Sequence, residues 1–171
     1  DPRRLSDTRP SGVEAIGEYL EETKGKRMQL IPGDVFERAE VRRLVAWFDT
    51  KFYAEVSEPV LTEKVIKRFL PREAGGGGLD TSRVRLAMAR LRNHLEYVAH
   101  LADTRVWLAG DRLSLADLAA AAHISAVDYF GDVPWADYAA AKSWYQRVKS
   151  RPSFRPLLAD TVRGMAPSGQ Y

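Results

Sequence analysis

The sequence predicts an all-α fold, and three observations carry that expectation. Val84, Met88, Leu91, Leu95, Val98 and Ala102 recur at steps of four and three, the stripe of a long amphipathic helix. Leu115 to Phe130 is rich in alanine and carries only Asp117 and Asp128 as charges, and a helix apolar nearly all round belongs inside a core. Strand signals are absent throughout.

The elements follow in order. Asp1 to Pro10 is polar and irregular, and Gly12 to Glu22 reads as a short helix with Ile16 and Leu20 on its apolar face. Thr23 to Gly33 holds Gly25, Pro32 and Gly33 and reads as a linker. Asp34 and Glu37 give a D-x-x-E cap before a long helix with Val41, Val45, Phe48, Phe52 and Val56 inward. Pro59 should end or kink that helix near Glu58, with Val60 to Leu70 resuming helically. Pro71 and the run Gly75 to Gly78 predict a mobile loop. Asp80 caps the helix of the long stripe.

Ser114 is placed to cap the alanine-rich helix, and Asp117 three residues on can reach back to its N–H. Leu113 and Leu118 are spaced as a hydrophobic staple around this capping box. Gly131 to Pro134 then makes a turn, and Trp135 to about Lys149 a helix with Tyr138, Ala141, Tyr145 and Val148 on one face. Pro152 starts a last short helix carrying Phe154, Leu157 and Leu158, and Gly164 to Tyr171 is expected to be a flexible tail.

The 171 residues suit one domain of ordinary size, and 45% hydrophobic content supports a packed core. Net charge is +3, from 26 basic and 23 acidic residues. The cations are interspersed, and Arg83, Arg85, Arg90 and Arg92 spread around one helix, which reads as a solvated face rather than a nucleic-acid footprint. With no cysteine there is neither a disulfide framework nor a thiolate nucleophile. No apolar run reaches the length of a membrane span, and no signal peptide opens the chain, which begins at Asp1 as a fragment or trimmed chain would.

Candidate chemistry is sparse. His94, His100 and His123 lack the i,i+4 spacing of a helical metal site, so no metal ligands are assigned and the histidines are expected at the surface or partly buried. His123, inside the alanine-rich helix, is expected to be neutral and to donate to a nearby carbonyl. G-x-S-x-G is missing, the four-glycine run has no Lys-Ser/Thr after it, and no catalytic residue is assigned. Trp47, Lys51 and Tyr53 fall off the inward stripe of Phe48 and Phe52. Together with Trp135 they form a candidate ligand or partner surface, or else they cover a neighbouring domain or loop.

Val106 to Asp117 resembles the pattern that opens the buried sixth helix in the C-terminal domain of glutathione S-transferases (GSTs), and Ser150 to Phe154 resembles the turn into that family's last helix. The resemblance implies that residues 34–163 form a GST C-terminal-type helical bundle, and that 1–33 hold the last helix and linker of a thioredoxin-like N-terminal domain. That N-terminal domain would carry the thiol-activating chemistry, so glutathione would bind only with it. Gly12-Val13 stands where its acid–Ser pair should be. Trp47 to Val56, Gly131 to Trp135 and Lys149 to Asp160 more closely resemble the FtsZ-localised, GST-like cell-division proteins of alphaproteobacteria. That likeness implies a cytoplasmic, homodimeric, non-catalytic adaptor that binds FtsZ, with no nucleic acid and no membrane insertion. A transferase acting on an apolar electrophile and a purely structural dimerisation module are the alternatives.

Overall fold

The computed structural model describes residues 13–24 and 29–171, and within them every regular element is helical. The polar opening segment and the middle of the linker lie outside the described residues. α1 is Val13–Lys24 and α2 is Val35–Ala46. The helix then runs on without interruption through a π-helical segment Trp47–Ser57, α3 (Glu58–Leu61), a second π-helical segment Thr62–Ile66 and α4 (Lys67–Phe69). α5 is Thr81–Thr104, α6 Leu115–Asp128, α7 Ala139–Lys149 and α8 Arg155–Ala159. The expected start at Trp135 is a separate 3-10 turn, Trp135–Asp137, one residue short of α7.

The cap signals lie where their chemistry predicts. Asp34 accepts from the N–H groups of Phe36 and Glu37, and Glu37 accepts from Asp34 N–H, a complete capping box. Gly33 before it has φ +98°, and a Cβ there would meet the Glu37 carboxylate at 2.1 Å, so glycine is what lets the box close. Asp80 caps α5 through Ser82 and Arg83 N–H.

α6 is the central post. Ala116, Ala120, Ala121, Ile124 and Val127 are fully buried. The inward stripe of the long second helix, Phe48, Phe52 and Val56, and that of α5, Leu91, Leu95 and Val98, close around the same core. α1 docks where Gly17 faces the Leu115 side chain, 2.9 Å from where a Cβ would sit, and Glu18 pairs with Arg42 of α2. Its predicted apolar face is nonetheless open, with Ile16, Tyr19 and Leu20 all about half exposed.

Two expectations need correcting. Pro59 does not end the helix. The π-helical turns before it, in which Glu58 N–H reaches Tyr53 C=O, are wider than α turns and take up the ring that an α-helix would push against the carbonyl four residues back. Nor does the segment Gly164 to Tyr171 trail away. Ser168 N–H and hydroxyl donate to the carbonyls of Tyr129 and Asp128, Gln170 donates to Asp128 Oδ1, and Tyr129 Oη donates to Met165 C=O. The end of α6 leaves carbonyls without helical partners, and the returning chain satisfies them.

Candidate functional site

The densest polar and aromatic grouping lies on the π-helical segment Trp47–Ser57. Single π turns are frequent at functional sites, and here eleven residues adopt that register. Of the residues expected on a partner surface, Lys51 and Tyr53 are exposed and Trp47 is half-buried. Lys51 Nζ sits 4.6 Å from the centre of the Trp47 ring, so these two do share a stripe. Tyr53 lies on another flank, edge-on to His123 of α6.

Trp135 does not belong to this surface. It is 7% exposed, stacks on Tyr145 at 4.9 Å and donates from Nε1 to Asp128 Oδ1 at 2.7 Å. The buried carboxylate of Asp128 draws the indole N–H inward.

Two histidines take partners that no spacing rule indicates, and His94 is buried rather than at the surface or partly buried as expected. His94 is 2% exposed; its Nδ1 lies 3.1 Å from Trp47 Nε1 and its Nε2 2.9 Å from Glu55 Oε2. His123 Nε2 lies 3.1 Å from Asp49 Oδ1 and its Nδ1 3.0 Å from Ser57 Oγ, so its partners are a carboxylate and a hydroxyl rather than the expected carbonyl. The two imidazoles flank Phe52, at 4.9 and 5.8 Å between ring centres. Asp49, Glu55 and Ser57 all come from the π-helical segment, so each histidine ties that segment to its own helix, α5 or α6. His100 is exposed, as expected.

Asp49, His123 and Ser57 have the composition of a hydrolytic triad but not its function. Ser57 is 2% exposed and sits inside a continuous helix, where N–H groups bond back along the chain instead of converging on an oxyanion. The grouping is a tether.

Asp117 is a second centre, and it is structural. Its carboxylate is fully buried and accepts four hydrogen bonds: from Leu108 N–H at 2.9 Å and Trp144 Nε1 at 2.8 Å on Oδ1, and from Ser114 N–H and hydroxyl, both at 3.0 Å, on Oδ2. Asp117 reaches back to Ser114 N–H as the capping-box spacing predicts, the Ser114 hydroxyl donates to the same carboxylate, and that carboxylate also anchors α7 and the loop before α6. A third centre ties the glycine-rich loop down: Glu63 receives Lys67, Arg83 and the Asp80 N–H. Lys67's hydrogen bond is the largest influence on Glu63 and, aided by those from Asp80 and Arg83, holds its carboxyl at about 2 against desolvation. Beside α1, a mostly apolar groove of about 600 Å³ runs between Ile31, Val35, Val41, Val45 and Leu115.

Residues 64–152 match the family model of the glutathione S-transferase C-terminal domain. The chain belongs to that family. Among GST relatives, FtsZ-localized protein A of Caulobacter vibrioides is 52% identical over 157 residues, which cover 92% of this chain and 67% of that protein. The solved structure of FzlA from C. crescentus superimposes with a TM-score of 0.85 at 52% identity, covering 92% of this chain and 67% of that one. A glutathione S-transferase from Sinorhizobium meliloti gives 0.88 at 48% identity, covering 93% and 70%. The GST-type bundle expected from the capping box and the Arg-Pro turn is therefore the fold of this chain. No helix among the described residues is long and apolar enough to cross a membrane.

Proposed function

We propose that the protein is a non-catalytic, GST-fold adaptor that binds the division-ring protein FtsZ in the cytoplasm during cytokinesis. The observation that carries the reading is the 52% identity to FtsZ-localized protein A, spread over 92% of the chain. The face bearing Trp47 and Lys51 supports it from the geometry: a half-buried indole under an exposed ammonium is the kind of anchor that interfaces use. The adaptor acts as a homodimer in this reading. Val35 and Phe36, 80% and 85% exposed on the first turn of α2, are apolar surface that a second copy would cover. The test is co-pelleting of the intact protein with assembled FtsZ. Wild type should pellet with the polymer, and Trp47→Ala should pellet less while keeping its helical circular dichroism. A wild type that stays in the supernatant sinks the reading. Equal pelleting by the variant removes Trp47 from the contact.

A second reading is favoured by the 48% identity to proteins from Sinorhizobium meliloti and Rhodospirillum rubrum that are described as glutathione S-transferases. In it, a thioredoxin-like domain supplies the activated thiol of glutathione, and the helical domain receives an apolar electrophile. Retention on immobilised glutathione and conjugation of a general electrophile by the intact protein would favour this reading over the adaptor. The chain of 171 residues alone should not turn over such an electrophile.

A further inference from the structure

The Trp47 indole is held by one hydrogen bond whose direction is chemically fixed. An indole N–H can only donate, so His94 Nδ1, 3.1 Å away, must accept and carry no proton. The hydrogen of the neutral ring therefore sits on Nε2 and is donated to Glu55 Oε2 at 2.9 Å. The rest of the clamp is aromatic. Trp47 meets the His94 ring at 5.7 Å and Tyr97 at 5.3 Å, and Tyr97 is fixed in turn by Arg43, which donates to its hydroxyl. An imidazolium would put a second N–H on Nδ1, and two donors would then face each other at 3.1 Å. That contact is repulsive, and the indole is the side that can move, since His94 lies under it at 2% exposure.

We propose that His94 is a positioning residue for the Trp47–Lys51 face, holding the indole in place when neutral and releasing it when protonated. The proposal deepens the partner-surface reading, and its binding arm rests on that reading. Its geometric arm does not.

The surroundings of His94 set where the release falls. Glu55 faces its Nε2, and Lys51 on the π-helical segment and Arg90 on α5 add positive charge nearby. Phe52 covers it at 4.9 Å, with His123 and its Asp49 beyond that ring, and Arg43 of α2 reaches the site only through Tyr97. Burial is the largest influence and pushes His94 below the ordinary histidine value of 6.5; Glu55 opposes it, and Lys51 and Arg90 reinforce it. Trp47 is therefore pinned at neutral pH and released as pH falls below that value.

The experiment follows the indole N–H signals of the intact, nitrogen-15-labelled protein by NMR from pH 8 down to pH 5, with Trp47→Phe assigning the Trp47 peak. The Trp47 peak should move away from its hydrogen-bonded position on acidification, while those of Trp107 and Trp144 hold. His94→Asn places an amide oxygen near the Nδ1 position without a titrating proton, so its Trp47 peak should stay pinned across the range. Co-pelleting with FtsZ should be lost on acidification by wild type and kept by His94→Asn. A Trp47 peak that ignores pH in folded wild type overturns the proposal, and this arm needs no His94 variant to fold. A Trp47 peak that moves while pelleting does not sustains the positioning role and overturns the use of this face for FtsZ.

Discussion

Replacing Asp117 with alanine should destabilise the fold by about 4 kcal/mol, the middle of the range of about 3–5 kcal/mol for breaking a buried ionic or hydrogen-bonded network. The carboxylate is fully buried and accepts four donors, and the substitution removes every acceptor at once. The Ser114 hydroxyl can rotate to a new partner. Leu108 N–H, Ser114 N–H and Trp144 Nε1 cannot, and none of them makes another side-chain hydrogen bond. An orphaned buried donor costs about 1–3 kcal/mol, so three give a ceiling near 9 kcal/mol. Relief of the desolvated carboxylate and local relaxation bring the expectation down to about half of that ceiling. For a chain of this size the melting temperature should fall by about 8–16 °C. Asp117→Asn keeps one oxygen for Leu108 and Trp144 but turns an NH2 toward Ser114 N–H, so it should cost about 2 kcal/mol. Ser114→Ala, which removes one donor and leaves the carboxylate, should cost about 1 kcal/mol. Urea unfolding followed by circular dichroism measures all three variants. An Asp117→Ala variant within 1 kcal/mol of wild type, at unchanged slope, would refute the reasoning.

Two further outcomes are expected. Glu63 and Glu40 are both held at about 2, Glu63 first by Lys67 and Glu40 first by Arg43, against an ordinary 4.5. A depressed carboxylate contributes stability above its unfolded value, and that contribution is lost as pH falls through the folded one. Melting temperature should therefore drop between pH 4.5 and pH 2, and Glu63→Gln should show a shallower drop in the same scan. Asp128 behaves in the opposite sense, because burial first of all pushes its carboxyl up. Asp128→Asn should be close to neutral for stability at pH 7, whereas Asp128→Ala should cost about 1–3 kcal/mol by orphaning Trp135 Nε1. Thermal melts of the two variants in parallel separate the carboxylate's charge from its role as acceptor.

What could be read in the sequence was what repeats along one helix or closes within one turn. The α5 stripe, the buried face of α6 and the caps at Asp34, Asp80 and Ser114 are local patterns, and the structure places each where the spacing puts it. The π register before Pro59 was not legible, because the same residues suit an α-helix and the proline was weighed as a breaker. Trp135 was misplaced because its inward pull comes from Asp128, seven residues back and on another element. The histidine partners lie 39 to 74 residues away in sequence, and no spacing rule reaches that far. One signal was available: the segment Trp47 to Ser57 holds two carboxylates and a serine on a largely apolar helix, and polar groups facing a core need partners there.

The three carboxylates buried among the described residues resolve the same electrostatic problem differently, and the differences follow their place in the chain. Asp117 lies at a helix start, where unpaired N–H groups converge, so four neutral donors stabilise it without any cation. Glu63 lies mid-helix, where no backbone donor of its own turn is free, and it recruits Lys67, Arg83 and the N–H of a returning loop. Asp128 lies at a helix end, where carbonyls rather than N–H groups gather. Its Oδ1 finds Trp135 and Gln170, while Lys149 stands off from its Oδ2 at 3.6 Å. Tyr145 Oη lies beside it, and burial raises that hydroxyl too. A carboxylate at the negative end of a helix is disfavoured by the dipole as well as by burial. The returning segment meets both needs of this helix end, Ser168 donating to its backbone carbonyls and Gln170 to the Asp128 carboxylate, which explains why a stretch with the composition of a tail is drawn against the end of α6.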